Sequence, residues 1–271
     1  MIYSMTMFFN EHDLTDLKIK EETPYVDQII IQESLWTHVG NIKPIRFEAD
    51  KYKDNSKVLH LIIDNTALYE KCDMKADRFS RANKERRYPV SVLPIQDDDI
   101  LIVTDIDEII NGEEIPRIIE EVKLRGFVRL EMRAFYYYIN VMQAENWSYP
   151  YAVNGKIAKQ YGLDWLRLNM MGTILPNCGN HFGWLGTLED IKNKIQNMAH
   201  TEFNTKEIVE GTEKRMEKLE DVVGRSDQEK LKVVPIDYLY PRTILNEYSE
   251  FKKYVYKEIN DRRLSFVSED K

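Results

Sequence analysis

Apolar residues fall in short, nearly continuous runs over the first hundred residues of the chain. The runs have the length and composition of buried strands, and they cover residues 2–9, 26–33, 57–64 and 99–105. Residues 11–22 and 75–87, which lie between runs, have the spacing of helices. Buried strands that alternate with helices are typical of a parallel sheet covered on both faces. The pattern therefore predicts an α/β fold of the nucleotide-binding type, with a mostly parallel central sheet.

The rest of the chain predicts one domain with a helical tail. No internal repeat, low-complexity tract or Gly/Ser linker interrupts the 271 residues. We divide the domain into a nucleotide-binding half (1–112), an acceptor and metal half (113–204) and a C-terminal helical tail (205–271). Apolar residues at three- and four-residue spacing predict two amphipathic helices in the tail. Such helices pack on their own domain by default, and a homodimer is the alternative.

Composition excludes several classes of protein. With 43% apolar residues, two cysteines and no apolar run of about eighteen residues, the chain is neither disordered, nor stapled by disulfides, nor membrane-spanning. We expect a soluble, cytoplasmic protein. The net charge of -8 argues against a nucleic-acid partner, because phosphate backbones require a basic surface. The exception is local: RFSRANKERR, residues 78–87, has five basic residues in ten, and a solvated helix face is its ordinary interpretation.

The fourth apolar run ends in a group of carboxylates, in the stretch ILIVTDIDEII. Ligands of open α/β sheets bind at the carboxyl ends of strands. If the strand continues through Asp105, then Asp105 and Asp107 point to the same side. Two carboxylates held close together favour a hard divalent ion such as Mg²⁺ or Mn²⁺, which can also bind substrate phosphates. Capping of a helix near Glu113, or a solvated turn, would explain the same residues.

Five segments together resemble one known family. They are FFNEHDLTDLKIKE, IIIQESLWTHVGNIKPIRFE, DDDILIVTDIDEII, GNHFGWLGTLEDIKNKIQNMAHTEFN and YLYPRTILNEYSEFKKYV. In this order they resemble glycosyltransferase family 17, which includes the animal β-1,4-mannosyl-glycoprotein N-acetylglucosaminyltransferase, and they span nearly the whole chain. Asn180, Gly183 and Ile110 replace the Trp, Ser and Pro that the family usually has. Sugar specificity is therefore not carried over, and the start at the first strand suggests a free-standing bacterial or viral type.

The resemblance implies a GT-A type fold and an inverting transfer that depends on a divalent metal, Mn²⁺ or Mg²⁺. A sugar, N-acetylglucosamine by family default, would move from a nucleotide diphosphate donor such as a UDP-sugar to a hydroxyl of a glycan acceptor. Asp105, Asp107 and His181 are the expected metal ligands, with Asp107 as the direct one. A neutral imidazole can complete such a site, although a lone histidine is more often hydrogen-bonded in a packed loop.

We expect further residues to contact the nucleotide sugar. Arginine pairs with phosphate oxygens through two parallel hydrogen bonds, which suits the two arginines at the start of the basic run. Polar residues at the ends of the first two strands would line the nucleotide crevice, although loop polarity and helix capping explain them as well. The predicted contacts are Asn10, Glu11, Glu33, Arg78, Arg81, Asp105 and Ile106.

An inverting displacement also needs a base for the acceptor hydroxyl. Among Glu131, Asp164, Glu189 and Glu202, we rank Asp164 and Glu202 first because each lies in a segment that resembles the family. Several aromatic residues after position 134, Trp184 among them, could stack on sugar rings, although most are expected in the core. Two alternatives remain at this point: an Asp-x-Asp phosphohydrolase of the haloacid-dehalogenase type, and a non-catalytic relative that binds nucleotide sugars.

Overall fold

The computed structural model describes residues 1–64, 79–168, 172–225 and 231–257. Its centre is an eight-stranded mixed sheet with the strand order β3-β2-β1-β4-β8-β6-β9-β5, accompanied by a two-stranded antiparallel sheet of β7 and β10. The strands are β1 (Ile2–Met7), β2 (Gln28–Ser34), β3 (Val58–Ile63), β4 (Ile100–Val103), β5 (Glu108–Ile110), β6 (Phe127–Ala134), β7 (Val141–Met142), β8 (Tyr151–Asn154), β9 (Thr173–His181) and β10 (Lys232–Val233).

Nine α-helices lie in the described ranges. They are α1 (His12–Glu22), α2 (Ser80–Val92), α3 (Ile115–Arg125), α4 (Gly155–Tyr161), α5 (Leu163–Leu168), α6 (Leu188–Asn197), α7 (Lys206–Lys218), α8 (Arg242–Asn246) and α9 (Tyr248–Phe251). None of these helices has the length and apolar character that crossing a membrane would require.

The first half of the chain forms the parallel part of the sheet, as predicted. Strands β3, β2, β1 and β4 pair in parallel. Successive side chains of β2 pack in different apolar clusters: Ile29 and Ile31 belong to one cluster, and Ile30 belongs to another. Both faces of the strand are therefore covered, which explains why the apolar runs are continuous rather than alternating.

The second half turns the sheet back on itself. Strand β8 is antiparallel to both β4 and β6, β9 is parallel to β6, and β5 is antiparallel to β9. Residues 104–107 alone join β4 to β5, which lies four positions further along the sheet. Four strand spacings measure about 19 Å in a flat sheet, whereas five residues of extended chain reach at most about 18 Å. The sheet must therefore curl, so that the four-residue acidic turn can join β4 to β5.

The tail differs from its prediction. Helix α7 ends at Lys218, where Leu219 adopts a left-handed conformation with φ 52°, and short helices α8 and α9 replace a second long helix. Tyr240, Ile244 and Phe251 pack with Leu14 and Leu17 of α1 in one apolar cluster. The tail thus packs on its own domain, the default expectation for such helices. Helix α2 covers residues 80–87 of the helix predicted at 75–87, and residues 75–78 lie outside the described ranges.

Candidate active site

The acidic residues lie in a turn, not on a strand. Strand β4 ends at Val103, two residues before the predicted end, and residues 106–107 form a turn closed by a hydrogen bond from the Glu108 amide to the Asp105 carbonyl, 3.0 Å long. The prediction that strand alternation points Asp105 and Asp107 to one side is therefore wrong. Capping of a helix near Glu113 does not explain the carboxylates either, because α3 begins at Ile115 with no side-chain cap.

A buried lysine on helix α1 holds this turn in place. Lys18 of α1 is fully buried, and its Nζ donates to Thr104 Oγ1 at 2.6 Å and to the Glu108 carbonyl at 3.0 Å. The same Nζ lies 3.0 Å from Glu22 Oε1, which supplies the countercharge. Buried charges are tolerated when they are paired and hydrogen-bonded. Both ends of the turn are therefore fixed to helix α1.

Two arginines hold Asp105. Arg86 of α2 donates from Nη1 to Oδ1 at 2.8 Å, and Arg167 of α5 donates from Nη2 to Oδ2 at 2.6 Å. Burial alone would raise the pKa of Asp105, but the charges of Arg167 and Arg86 outweigh it and hold that pKa well below its usual range. Asp105 is ionised and already paired on both oxygens.

Arg167 also pairs with Glu108, which is fully buried at the start of β5. Its guanidinium donates to Glu108 Oε1 at 2.6 Å and to Oε2 at 3.1 Å. The Trp147 indole N–H donates to Oε1 at 2.6 Å, and the Asp105 amide donates to Oε2 at 2.6 Å. Four donors satisfy the carboxylate, so Glu108 fixes the conformation of the turn.

Asp107 faces a different pair of groups. Lys194 of α6 approaches Asp107 Oδ2 to 2.5 Å, while His181 Nε2, at the end of β9, lies 3.7 Å from Oδ1. Burial would raise the pKa of Asp107, but the charge of Lys194, and that of His181 when it is protonated at acidic pH, lower this pKa below its ordinary value. The distance from Oδ1 to Nε2 is too long for a hydrogen bond.

His181 is held by stacking. Its ring lies on the Trp147 indole with centroids 4.3 Å apart and an angle of 24° between the planes. Burial lowers the pKa of His181 despite the opposing charges of Asp107 and Glu108, so the imidazole is neutral near pH 7. Its Nδ1 is buried, and the described part of the chain gives it no hydrogen-bond partner. A side chain at Gly183 would collide with the imidazole, since an added Cβ would lie 2.8 Å from Nε2.

The resemblance implies a divalent ion, and two of the three expected ligands fit one. Metal bonds of roughly 2.0–2.2 Å allow one ion to contact two atoms up to about 4 Å apart. Asp107 Oδ1 and His181 Nε2, 3.7 Å apart, meet this condition, and neutral imidazole is a common ligand. Asp105 does not join them: within the described ranges, no group of three or more His, Cys, Asp or Glu side chains could hold a metal. Further ligands would have to come from substrate phosphates and water.

The predicted nucleotide-sugar contacts are spread over several places. Asn10 and Glu11 line a cavity of about 160 Å³ that Lys194 also lines. Ile106 is buried in the main apolar cluster. Arg81 donates to the His38 carbonyl at 3.2 Å, and Arg78 lies outside the described residues.

Glu33 is fully buried and occupied by the chain itself. Its oxygens accept from Lys43 Nζ at 2.6 Å and from the Arg46 and Phe47 amides at 2.7 and 3.0 Å, and they contact His60 Nε2 at 3.1 Å. Burial would raise the pKa of Glu33, but these hydrogen bonds lower it to about 2. Glu33 thus anchors the loop after β2 and presents no free oxygen to a base or ribose.

The two carboxylates ranked first as the base are not brought to Asp107. Asp164 pairs with Arg87 at the start of α5, and Glu202 pairs with His200 at 2.9 Å at the start of a short 3-10 helix. Neither contacts Asp107, Lys194 or His181 in any described interaction. The partners of these carboxylates, Arg87 and His200, are 56% and 49% exposed, so the two pairs have the character of surface ion pairs.

The cations of the site were not predicted from the sequence. Arg86 was interpreted as part of a solvated helix face but is buried against Asp105. Arg167 and Lys194 were not singled out at all. For Lys194 a weak signal existed, because α6 is amphipathic, and Ile191 and Ile195 of its buried face flank this residue. For Arg167 nothing in the local sequence indicates burial.

Comparison with known proteins places the chain in a family. The sequence profile described as glycosyltransferase family 17 matches residues 1–255. No curated protein matches the sequence. Similar solved structures include the 2-C-methyl-D-erythritol 4-phosphate cytidylyltransferase of Francisella tularensis, at 13% identity and a TM-score of 0.40 over 73% of this chain and 99% of that one. Residues 1–349 of TarS from S. aureus match at 9% identity and a TM-score of 0.40, over 73% and 66% of the two chains. Because the profile covers nearly its whole length, the chain belongs to glycosyltransferase family 17.

Proposed function

We propose that the protein transfers a sugar from a nucleotide diphosphate donor to a hydroxyl of a glycan acceptor, with inversion and with the help of a divalent metal. A UDP-sugar is the expected donor, and N-acetylglucosamine is the family default. The observation that carries the proposal is the pair of Asp107 Oδ1, in the acidic turn, and His181 Nε2, at the end of β9, which lie 3.7 Å apart.

The chain's own groups account for binding of the leaving diphosphate. Lys194 Nζ lies at Asp107 and also donates to the Gly183 carbonyl at 2.6 Å, which holds its positive charge at the site. Fixed charges placed where negative charge develops stabilise a transition state without reorganisation. Arg86 and Arg167 keep the turn in place through Asp105. A divalent ion bound by Asp107 and His181 would add Lewis-acid neutralisation of the diphosphate.

The phosphohydrolase alternative has little support. Its mechanism requires the first aspartate to act as a nucleophile, yet both oxygens of Asp105 accept from buried guanidiniums. Membership in a glycosyltransferase family argues in the same direction. A non-catalytic relative would bind donor without transferring sugar, and a transfer assay separates the two.

The test measures donor binding and sugar transfer with a panel of UDP-sugars, each with Mn²⁺, with Mg²⁺ and with a chelator. A donor at a hundred times its Kd should stabilise the protein by about 2.7 kcal/mol. We expect Asp107→Asn to lower transfer by about a hundredfold to a thousandfold. The matched control is Asp97→Asn, whose carboxylate pairs with Lys159 on the surface and is 68% exposed. Transfer by Asp107→Asn at the unmodified rate, or equal transfer in chelator, would contradict the proposed role of the metal site.

A further inference from the structure

A cavity of about 160 Å³ lies between the start of α1 and the segment that joins β9 to α6. We call it the Glu11 cavity, and its lining includes Asn10, Glu11, Trp184, Gly186, Asp190 and Lys194. Drug-sized ligands occupy pockets of roughly 300 Å³ or more. The Glu11 cavity has about half of that volume, so it has room for one sugar ring but not for a whole nucleotide sugar.

This cavity adjoins the candidate active site through a single side chain. Lys194 lines the cavity, and its Nζ lies 2.5 Å from Asp107 Oδ2. Glu11 lines the same cavity as Lys194, so the ammonium group that contacts Asp107 also lies at the cavity that contains Glu11. A molecule in the cavity would be next to a diphosphate held at Asp107.

The walls suit an uncharged polyhydroxyl ligand. The Trp184 indole, a large flat apolar ring, lines the cavity, and Lys194 Nζ lies over this ring at 5.3 Å from its centroid. The carboxylates of Glu11, Asp13 and Asp190 can accept hydrogen bonds from hydroxyl groups. These three carboxylates outnumber the two cations beside them, Lys194 and the Lys253 that pairs with Asp13, and therefore disfavour an anionic ligand. Sugar rings combine an apolar face with several hydroxyl donors.

Glu11 is the carboxylate best placed for proton transfer. Asp13 pairs with Lys253 at 2.5 Å and accepts from Tyr254, and these bonds lower its pKa despite burial, which makes it a weaker base. Asp190 caps α6, where its Oδ2 accepts from the Thr187 amide at 2.9 Å. The remaining carboxylate is Glu11, which lines the cavity together with Lys194.

The backbone holds the Glu11 carboxylate in position. Its Oε2 accepts from the Phe9 and Asn10 amides at 3.1 and 3.0 Å. These two bonds leave Oε1 as the oxygen that can take a proton. A base held by the loop after β1 does not need to be recruited when substrate binds, which lowers the entropic cost of the reactive arrangement.

We propose that the Glu11 cavity binds the terminal, uncharged sugar of the acceptor and that Glu11 is the general base. This inference rests on the proposed function. In the step, Glu11 takes the proton from the acceptor hydroxyl, and the oxygen of that hydroxyl forms a bond to the anomeric carbon of the donor sugar. The bond from that carbon to the diphosphate oxygen breaks, and its electron pair leaves with the nucleoside diphosphate.

Glu11→Gln is the decisive variant, because the glutamine carbonyl can still accept from the Phe9 and Asn10 amides while its amide cannot take a proton. We expect kcat for transfer to fall by about a hundredfold or more, while the thermal shift produced by UDP-sugar and Mn²⁺ stays. The matched control is Glu217→Gln, an exposed position on α7 that does not line the cavity. Trp184→Ala should raise the KM for the acceptor, again without loss of donor binding.

Acceptor chemistry supplies a second comparison. Methyl hexosides should accept sugar at least ten times faster than the matching hexuronides, which differ by one carboxylate. Transfer by Glu11→Gln at the control rate would overturn the assignment, and so would loss of the donor-induced shift, which would place Glu11 in the donor site. Loss of transfer in Asp190→Asn alone would move the base to Asp190. Absence of a donor-induced shift in the unmodified protein would instead refute the proposed function, and this inference with it.

Discussion

Arg167 should be the side chain on which the stability of the acidic turn depends most. It is 9% exposed and is the described cation that contacts both Asp105 and Glu108. Replacing it with methionine keeps much of the apolar stem but leaves Glu108, which is fully buried, with only neutral donors. Breaking a buried ion pair from one side typically costs about 3–5 kcal/mol, because the remaining charge is uncompensated.

The expected loss is large enough to measure by two methods. A decrease of about 3–5 kcal/mol in the free energy of unfolding should lower Tm by on the order of 10 °C in a protein of this size. Urea titration should give the same free energy with an unchanged slope. Arg125→Met is the matched control: Arg125 also bonds a carboxylate, that of Glu121 at 2.6 Å, but on the exposed face of α3.

Arg125→Met should cost no more than about 1 kcal/mol, as surface pairs do. A variant in which Glu108 is also replaced, by glutamine, should recover part of the stability lost with Arg167, because the uncompensated charge is then gone. If Arg167→Met and Arg125→Met destabilise equally, the pairing with Glu108 is not what supports the turn.

Three further predictions concern other buried groups. The pKa of Glu33 is about 2 in the folded protein, against an ordinary value of 4.5. Its hydrogen bonds therefore contribute on the order of 3 kcal/mol to the free energy of unfolding above pH 4.5, and this contribution is lost as the pH falls towards 2. Glu33→Gln should flatten this part of the curve of unfolding free energy against pH. Gly183→Ala should displace the His181 ring, and Mn²⁺ affinity measured by calorimetry should fall while Tm changes little. Burial raises the pKa of the Cys178 thiol to about 12, so mass spectrometry should find this residue unalkylated by iodoacetamide at pH 8 until urea unfolds the protein.

The parallel half of the sheet was predictable from the sequence because each of its strands is buried on both faces. Ile29, Ile30 and Ile31 are all inaccessible to solvent, so the strand is an unbroken apolar run at any register. The sequence pattern of the second, curled half of the sheet predicts its strands less clearly. Strand β5 has three residues and follows β4 after a four-residue turn, and local periodicity does not separate such a strand from the one before it.

The candidate site was predicted in part. Asp107 and His181 were expected to share a metal, and the structure brings them to 3.7 Å of each other, although binding itself stays a prediction. Asp105 was expected to join them and is held by arginines instead. Glu33 was expected at the nucleotide and anchors a loop, because three backbone and side-chain donors and a histidine lie within reach of its carboxylate.

The sequence by itself determined the covered parallel strands, the group of carboxylates that follows the fourth of them and the family to which the chain belongs. These properties depend on neighbouring residues and on local order, which a sequence records directly. Only the tertiary structure decided which charges meet at that turn. Arg86 lies 19 residues from Asp105, Arg167 lies 62 residues from it, and Lys194 lies 87 residues from Asp107. Helices α2, α5 and α6 contribute these side chains, and only the packing of the three helices around the turn creates the pairs.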